Sequence, residues 1–198
     1  MASPEKSNLA AFSTTERAIM LALHESKGRP VPVNETDHLW VQKVLFLFRK
    51  LLESIHPEEG PASVGYIAYD LGPYSEEVEG ALVALLKDGL IELDANKRFH
   101  LTAQGARIAR DLESSKPKAT SALRSIVDVV EILNPDELIL YVYATNPDWA
   151  RESKIKGILQ NKGARFKLAR KLYVGQKVSV ERAAEVAGVP VKEFVSRF

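Results

Sequence analysis

The sequence predicts a mainly α protein, in which a winged-helix-like N-terminal domain with one small β-hairpin precedes a helical C-terminal helix-turn-helix module. Three observations predict this class. Apolar residues recur at helical spacing through most of the 198 residues. Two short β-type runs flank a tight turn between residues 90 and 101. Near the end of the chain, Gly188 and Pro190 separate two short helical patterns.

The first two predicted helices follow an N-terminal tail. Residues 1–12 are expected to be flexible, and the capping-box pattern at Ser13 starts a helix that is expected to end at His24 or Glu25. A second helix is expected to begin near residues 34–36. It carries an apolar stripe over Leu39–Leu52, which assigns this helix to the core.

A third helix and the hairpin complete the N-terminal domain. Leu71–Tyr74 is expected to be a turn, and Ser75 after it is a good N-cap residue. Gly89 is placed to end the helix in a left-handed conformation. Two strands then flank a tight turn at Asp94–Lys97, and Thr102 is expected to cap a further helix.

These signals divide the chain into three segments after the tail. Residues 13–115 form the winged-helix-like domain, residues 116–150 a helical connector, and residues 151–198 a basic helix-turn-helix module. Ser114–Lys118 is polar and contains a proline, so we expect it to be a short linker. Asn134-Pro135 is expected to separate the two helices of the connector.

The C-terminal module is predicted to contain three helices. The first covers Gly163–Tyr173, Ser179 caps the second, and Pro190 lies in the first turn of the third. Gly188 permits the sharp turn between the last two. The last helix is expected to expose Lys192, Glu193, Ser196 and Arg197 and to bury Val191, Phe194, Val195 or Phe198.

Charge is unevenly distributed along the sequence. Residues 151–198 hold 12 Lys and Arg against 4 Glu, whereas the first 150 residues hold 15 basic and 22 acidic residues. A basic segment of this kind indicates a polyanionic partner. The alternative is a solvated basic surface that pairs with the acidic remainder of the chain.

Duplex DNA is the partner that this basic module predicts. The residues expected to contact DNA are Arg165, Lys167, Arg170, Lys171, Lys177, Ser179, Arg182, Lys192, Ser196 and Arg197. Those between 165 and 177 would hold phosphates, and Lys192 and Arg197 would reach base edges. In many winged helices the helix before the hairpin reads DNA. Here that helix carries four acidic residues, and Lys87 is its one basic residue. This charge argues against DNA binding by the helix, because DNA is lined by negative phosphates.

The N-terminal part resembles a known antitoxin family. The matching motifs lie within residues 38–156 and are Lys43-Val44-Leu45-Phe46, Leu71-Gly72-Pro73-Tyr74-Ser75, Leu85-Leu86-Lys87-Asp88-Gly89-Leu90-Ile91 and Leu101-Thr102-Ala103-Gln104-Gly105. Through them the chain resembles the Panacea, or SocA-like antitoxin, domain. The resemblance implies an antitoxin-type, winged-helix-like domain.

The C-terminal part resembles a family of small prokaryotic helix-turn-helix proteins of the UPF type, which are thought to act as antitoxins. The matching residues are Ala169, Leu172, Tyr173, Gly175, Lys177, Ser179, Ala183, Ala184, Glu185, Ala187, Gly188, Glu193 and Phe194. This resemblance implies DNA binding and transcriptional control, including control within a toxin–antitoxin or defence locus.

The sequence does not indicate an enzyme. The four histidines lack metal-ligand spacing, and Gly175-Gln176-Lys177 lacks the upstream glycine of a P-loop. We therefore expect no catalytic residues, no cofactor and no metal. Cysteine is absent, and neither a signal-peptide core nor an apolar run of about 18 residues occurs, so we expect a cytoplasmic protein without membrane association.

Two functional hypotheses remain. The first is a prokaryotic or archaeal transcriptional regulator, or antitoxin-like repressor, that binds double-stranded DNA through its basic C-terminal module as a homodimer. The alternative is an adaptor or antitoxin that neutralises a partner protein, such as a toxin or another regulator, through the acidic N-terminal domain.

Overall fold

The mainly α fold class is confirmed by a computed structural model of the chain. The structure describes residues 9–26, 31–32, 39–55, 65–95 and 98–197. The α-helices are α1 (Thr14–Glu25), α2 (Leu39–Ile55), α3 (Glu76–Lys87), α4 (Ala103–Ser115), α5 (Pro117–Val130), α6 (Pro135–Thr145), α7 (Lys162–Val174), α8 (Val180–Ala187) and α9 (Val191–Ser196). The strands are β1 (Val31–Pro32), β2 (Ile67–Tyr69), β3 (Gly72–Tyr74), β4 (Ile91–Leu93) and β5 (Arg98–Leu101).

The chain forms two compact units. The first contains the described residues up to Tyr66 together with Ser75–Val127, and the second contains Ile67–Tyr74 and Asp128–Phe198. The short segment β2–β3 therefore belongs to the second unit, although the residues on both sides of it belong to the first. The predicted segments instead had boundaries after residues 115 and 150.

The first unit has the element order and sheet of a winged helix. Its sheet has the strand order β1-β5-β4. Phe99 of the central strand β5 pairs with Val31 of β1 on one side and with Leu93 of β4 on the other. The predicted small hairpin is confirmed as β4–β5. The structure adds a third strand, β1, to this sheet and a separate pair, β2 and β3, which the sequence did not indicate.

Both ends of α1 follow local signals. Ser13 accepts a hydrogen bond from the Glu16 backbone N–H, and the Glu16 carboxylate accepts one from the Ser13 backbone N–H, so the predicted capping box is confirmed. The helix ends at Glu25, as expected. Leu9–Ala11 form a 3-10 turn within the segment expected to be a flexible tail, whose first eight residues lie outside the described ranges.

The start of α3 depends on a distant residue. Ser75 occupies the N-cap position, but its hydroxyl makes no capping hydrogen bond, so the predicted role of this side chain was wrong. Buried Gln42 of α2 instead accepts from the Ser75 backbone N–H at 3.0 Å and donates to the Ser75 carbonyl at 2.9 Å. One amide thus satisfies both backbone groups of the buried Ser75.

The remaining caps of the first unit are as predicted. Gly89 has φ +64°, and the Leu90 N–H bonds to the Leu85 carbonyl, which closes α3 with a Schellman turn. The Thr102 hydroxyl accepts from the Gly105 N–H and so caps α4. Of the predicted turn over residues 94–97, the last two residues lie outside the described ranges.

The predicted linker at Ser114–Lys118 was wrong. α4 continues to Ser115 and α5 begins at Pro117, so Lys116 alone separates the two helices. Proline at the first position of a helix costs little because that residue has no intrahelical N–H partner to lose. Pro117, which indicated a linker in the sequence, is therefore the first residue of α5.

The hairpin β2–β3 is integrated into the second unit. The predicted turn over residues 71–74 was wrong, because Gly72–Tyr74 is strand and pairs antiparallel with β2. Gly72 has φ +95°, and a Cβ added there would lie 2.9 Å from Cε1 of buried Tyr143. On the same hairpin, the Asp70 carbonyl accepts hydrogen bonds from the Ser153 hydroxyl and from the Lys154 backbone N–H.

Helix α6 forms the centre of the second unit. Asn134 caps it in a complete capping box with Glu137, and Pro135 takes the first position. Leu138 to Ala144 are all buried. This helix contacts α7 and α8, so these two C-terminal helices pack against it.

Candidate nucleic-acid interface

Helix α7 begins one residue earlier than predicted. The Asn161 side chain accepts from the Ala164 N–H and caps the helix. Leu168, Ala169 and Leu172 are buried on one side. With 3.6 residues per turn, Gly163, Lys167 and Arg170 lie on the opposite, exposed side.

Helices α8 and α9 are joined by a turn of three residues. Ser179 caps α8 by accepting from the Arg182 N–H, as predicted. Gly188 ends it with φ +73°, a left-handed conformation that glycine adopts without strain, so the predicted turn lies at this residue. Pro190 precedes α9 at the N-cap position, so its predicted place in the first turn was off by one residue.

Arg165 holds this turn. Its Nε donates to the Val186 carbonyl at 2.8 Å, and Nη2 donates to the Glu185 carbonyl at 3.0 Å. The planar guanidinium covers the end of α8, and a Cβ at Gly188 would lie 2.6 Å from it. The cation therefore satisfies the last carbonyls of a helix, where the helix dipole also favours positive charge.

Three aromatic rings lie between α7 and α9. The ring centroid of fully buried Phe194 is 5.4 Å from that of Phe166 and 5.8 Å from that of Tyr173. The Arg197 guanidinium lies over the Phe166 ring, 5.6 Å from its centroid. These contacts fix the position of α9, which has only six residues.

The structure selects among the residues offered for the buried side of α9. Phe194 is buried, whereas Val191 and Val195 are exposed. Lys192 and Ser196 lie opposite Phe194 and are exposed. Phe198 lies outside the described residues.

An open groove of about 410 Å³ runs along α7 and the end of α9. It is lined by Lys162, Gly163, Phe166, Lys167, Arg170 and Arg197. Four of these six residues are cationic, and Phe166 gives the groove an aromatic wall. The groove therefore concentrates positive charge, the feature by which proteins attract the phosphates of nucleic acid.

Several predicted contact residues have partners within the protein. Lys171 pairs with Glu137 at 2.6 Å, Arg182 with Glu185 at 2.7 Å, and Arg197 with Glu193 at 3.1 Å. The last two pairs are exposed and lie within one helix, so they contribute at most about 1 kcal/mol each and can open. The Ser196 hydroxyl donates to the Glu193 carbonyl.

The Lys171–Glu137 pair affects the pKa of Glu137. Partial burial raises the pKa of Glu137, but the Lys171 hydrogen bond, the Asn134 backbone N–H and the charges of Lys171 and Lys167 outweigh it. The pKa of Glu137 therefore lies below its ordinary value of 4.5. Lys171 thus links α7 to α6 and is less available to a phosphate than the sequence indicated.

Other cations remain available to a ligand. Within the described part of the chain, Lys167, Lys177 and Lys192 make no salt bridge, and neither does Lys162, which the sequence argument missed. Lys162 was missed because it directly precedes the predicted helix start. Its position four residues before Phe166 on the same helix face is the signal that could have identified it.

The charge of the second unit is lower than that of its basic segment. Together, residues 67–74 and 128–198 hold 12 basic and 10 acidic residues. Two of these carboxylates, on Glu137 and Asp70, pair with Lys171 and Lys154. The positive charge is therefore a local property of the outer side of α7, where the groove lies.

Comparisons with known proteins assign no family. No protein-family model matches this sequence, and no curated protein is significantly similar to it. Among the described residues, no three His, Asp or Glu side chains are grouped so that they could hold a metal ion. Within the same residues, no helix is long and apolar enough to cross a membrane.

Proposed function

We propose that this protein binds duplex DNA through its second unit, as a transcriptional regulator or antitoxin-like repressor. The observation that carries the proposal is the pair α8 and α9, joined at Gly188, with Lys192 and Ser196 on the side of α9 that faces away from the core. In helix-turn-helix proteins the second helix of such a pair enters the major groove. The Arg165 hydrogen bonds hold the turn in one geometry, as docking into a groove requires.

The groove along α7 supplies the phosphate contacts of this proposal. Lys162, Lys167 and Arg170 line it within three turns of one helix. Contacts from such residues to the DNA backbone supply most of the sequence-independent affinity and fix the position of the reading helix. Lys177, between α7 and α8, adds a further cation.

Helix α3 of the first unit supports the assignment of DNA to the second unit. In a winged helix this is the position of a common reading helix. Its exposed residues include Glu76, Glu77 and Asp88, with Lys87 as the cation of the helix. Carboxylates at a phosphate-lined groove would oppose binding.

The test is duplex DNA binding by the full chain, measured by fluorescence anisotropy at low salt. We expect the triple variant Lys162→Ala, Lys167→Ala, Arg170→Ala to bind DNA much more weakly than the unaltered chain. The matched control is Lys87→Ala, Lys118→Ala, which removes two exposed lysines of the first unit and should leave affinity unchanged. Absence of affinity in the unaltered chain at low salt would refute the proposal.

We also propose that the protein acts as a homodimer in the cytoplasm. A single six-residue reading helix contacts few base pairs, and helix-turn-helix dimers bind two half-sites about 10 base pairs apart. Sedimentation analysis of the protein with and without DNA tests this. A complex with one chain per duplex would contradict it.

A second candidate function is an adaptor that masks a partner protein. One observation favours it: Val83 is exposed on α3, a helix whose first turn holds three glutamates. An exposed apolar side chain on a mainly acidic helix suits a basic partner surface. This candidate predicts no DNA affinity at low salt, so the anisotropy measurement separates the two functions.

A further inference from the structure

The outer side of α9 carries an unusual combination of side chains. Val191 is 39% exposed and Val195 is 56% exposed. These are two of the six residues of the helix, and both are β-branched apolar side chains that leave a large part of their surface exposed. A helix that needed only solubility would carry polar residues there.

Helix geometry places these valines next to the polar residues Lys192 and Ser196. Val191 and Val195 are four residues apart and share one face, and Lys192 and Ser196 share the adjacent face. The four side chains form one continuous surface, in which the valines lie between buried Phe194 and the opposite face that carries Lys192 and Ser196. The Glu193–Arg197 pair lies on the other flank of the helix.

The chemistry of this surface matches one feature of DNA. In the major groove the 5-methyl group of thymine is the apolar group that a base pair presents, and aliphatic side chains contact it. Lysine donates to guanine O6 and N7, and serine pairs with several bases. A surface of two valines, one lysine and one serine therefore fits thymines that lie next to a guanine.

We infer that Val191 and Val195 determine specificity by contacting thymine methyl groups, with Lys192 on a neighbouring guanine. This inference rests on the proposed DNA-binding function and adds the class of sequence that is read. The occupant of the apolar flank is thus the thymine edge of the major groove.

A second copy of the chain fits this surface less well. A two-fold symmetric contact places the same patch on both subunits, so two Lys192 cations would be enclosed in one small interface. Within the described residues Lys192 has no carboxylate partner that would neutralise this repulsion. DNA offers acceptors to Lys192 and methyl groups to the valines at the same time.

The experiment begins with selection of bound duplexes from a random-sequence pool by the full-length protein. Each thymine in the selected site is then replaced by deoxyuridine, which keeps the base pair and removes the methyl group. We expect a loss of about fourfold in affinity for each contacted methyl, from the transfer free energy of one such group. A 5-methylcytosine placed at a contacted position should restore part of the contact.

Variants assign the effect to the two valines. Val195→Ala and Val191→Ala should each reduce the discrimination between thymine and deoxyuridine. The matched control is Val174→Ala on α7, which removes the same atoms from a valine that is 61% exposed and lies outside α9. That variant should retain full discrimination.

The outcomes separate the inference from the proposed function. If a selected site is bound equally with thymine and deoxyuridine, the inference fails while DNA binding stands. If the valine variants dissociate a dimer in sedimentation analysis and leave the discrimination intact, the valines form a subunit interface and the inference fails. If no duplex is bound at low salt, the proposed function fails, and this inference fails with it.

Discussion

Replacing Arg165 by methionine tests how the turn between α8 and α9 is held. Methionine keeps an aliphatic stem of similar length but removes every donor. The variant leaves the carbonyls of Val186 and Glu185 without the guanidinium, and the first of these bonds is partly buried. We expect loss of helical order at the end of α8 and in the turn.

The magnitude follows from the two bonds. A hydrogen bond that involves a charged group contributes about 1.5–3 kcal/mol, and an exposed one contributes much less. Only the bond to Val186 is partly buried, whereas the bond to Glu185 is exposed. The free energy of unfolding of the second unit should therefore fall by about 2 kcal/mol.

Urea unfolding, followed together with amide hydrogen exchange in α8, measures this change. A lower midpoint with an unchanged slope would report stability alone. The matched control is Lys167→Met, an exposed cation two residues away, for which we expect a change within about 0.5 kcal/mol. Equal stability of the two variants would refute the role of Arg165 as a support of the turn.

The DNA-binding behaviour of the same variant provides an independent check. Loss of a phosphate contact lowers the slope of log affinity against log salt by about 0.9. Arg165→Met should reduce affinity with the slope unchanged, because its guanidinium is bound to backbone carbonyls. A slope lowered by about one would show that Arg165 contacts a phosphate instead.

Three further predictions concern stability. Ser75→Ala should change the free energy of unfolding by less than about 0.5 kcal/mol, whereas loss of a capping serine would cost about 1 kcal/mol. Gly72→Ala should cost about 2 kcal/mol or more in urea unfolding, because of φ +95° and the close Tyr143 ring. Glu137→Gln should lower stability at neutral pH, and its difference from the unaltered protein should vanish as the pH falls below 4.5 and through the lowered pKa of Glu137. Constant differences across pH would contradict the last prediction.

Local signals predicted the helix ends well. The capping box at Ser13, the left-handed Gly89 and Gly188, and the caps at Thr102 and Ser179 each depend on residues within a few positions. Such short-range hydrogen bonds are encoded in the sequence at fixed offsets. These local signals therefore allowed most of the helices to be predicted from the sequence.

Long-range contacts account for what the sequence did not reveal. The Ser75 backbone is bound by Gln42, which is 33 residues away, and the Arg165 guanidinium reaches carbonyls 20 and 21 residues further on. Neither pairing has a signature at a fixed spacing. Arg165 therefore counted as a DNA contact on charge alone.

The turn after α7 places a residue other than glycine in the left-handed region. Gly175, at the C-cap of the helix, has φ −71°. The next residue, Gln176, takes φ +54° instead. The Lys177 N–H then bonds to the Leu172 carbonyl, so the hydrogen-bonding register of the helix end selects the residue.

The salt dependence of duplex DNA binding tests the central claim most directly. Affinity is measured between about 50 mM and about 200 mM salt for the full chain and for the triple variant at Lys162, Lys167 and Arg170. The proposed interface predicts steep weakening with salt for the unaltered chain and a slope lower by about 2.7 for the variant, three contacts at about 0.9 each. Equal slopes for the two proteins would contradict the assignment of DNA to the groove on α7.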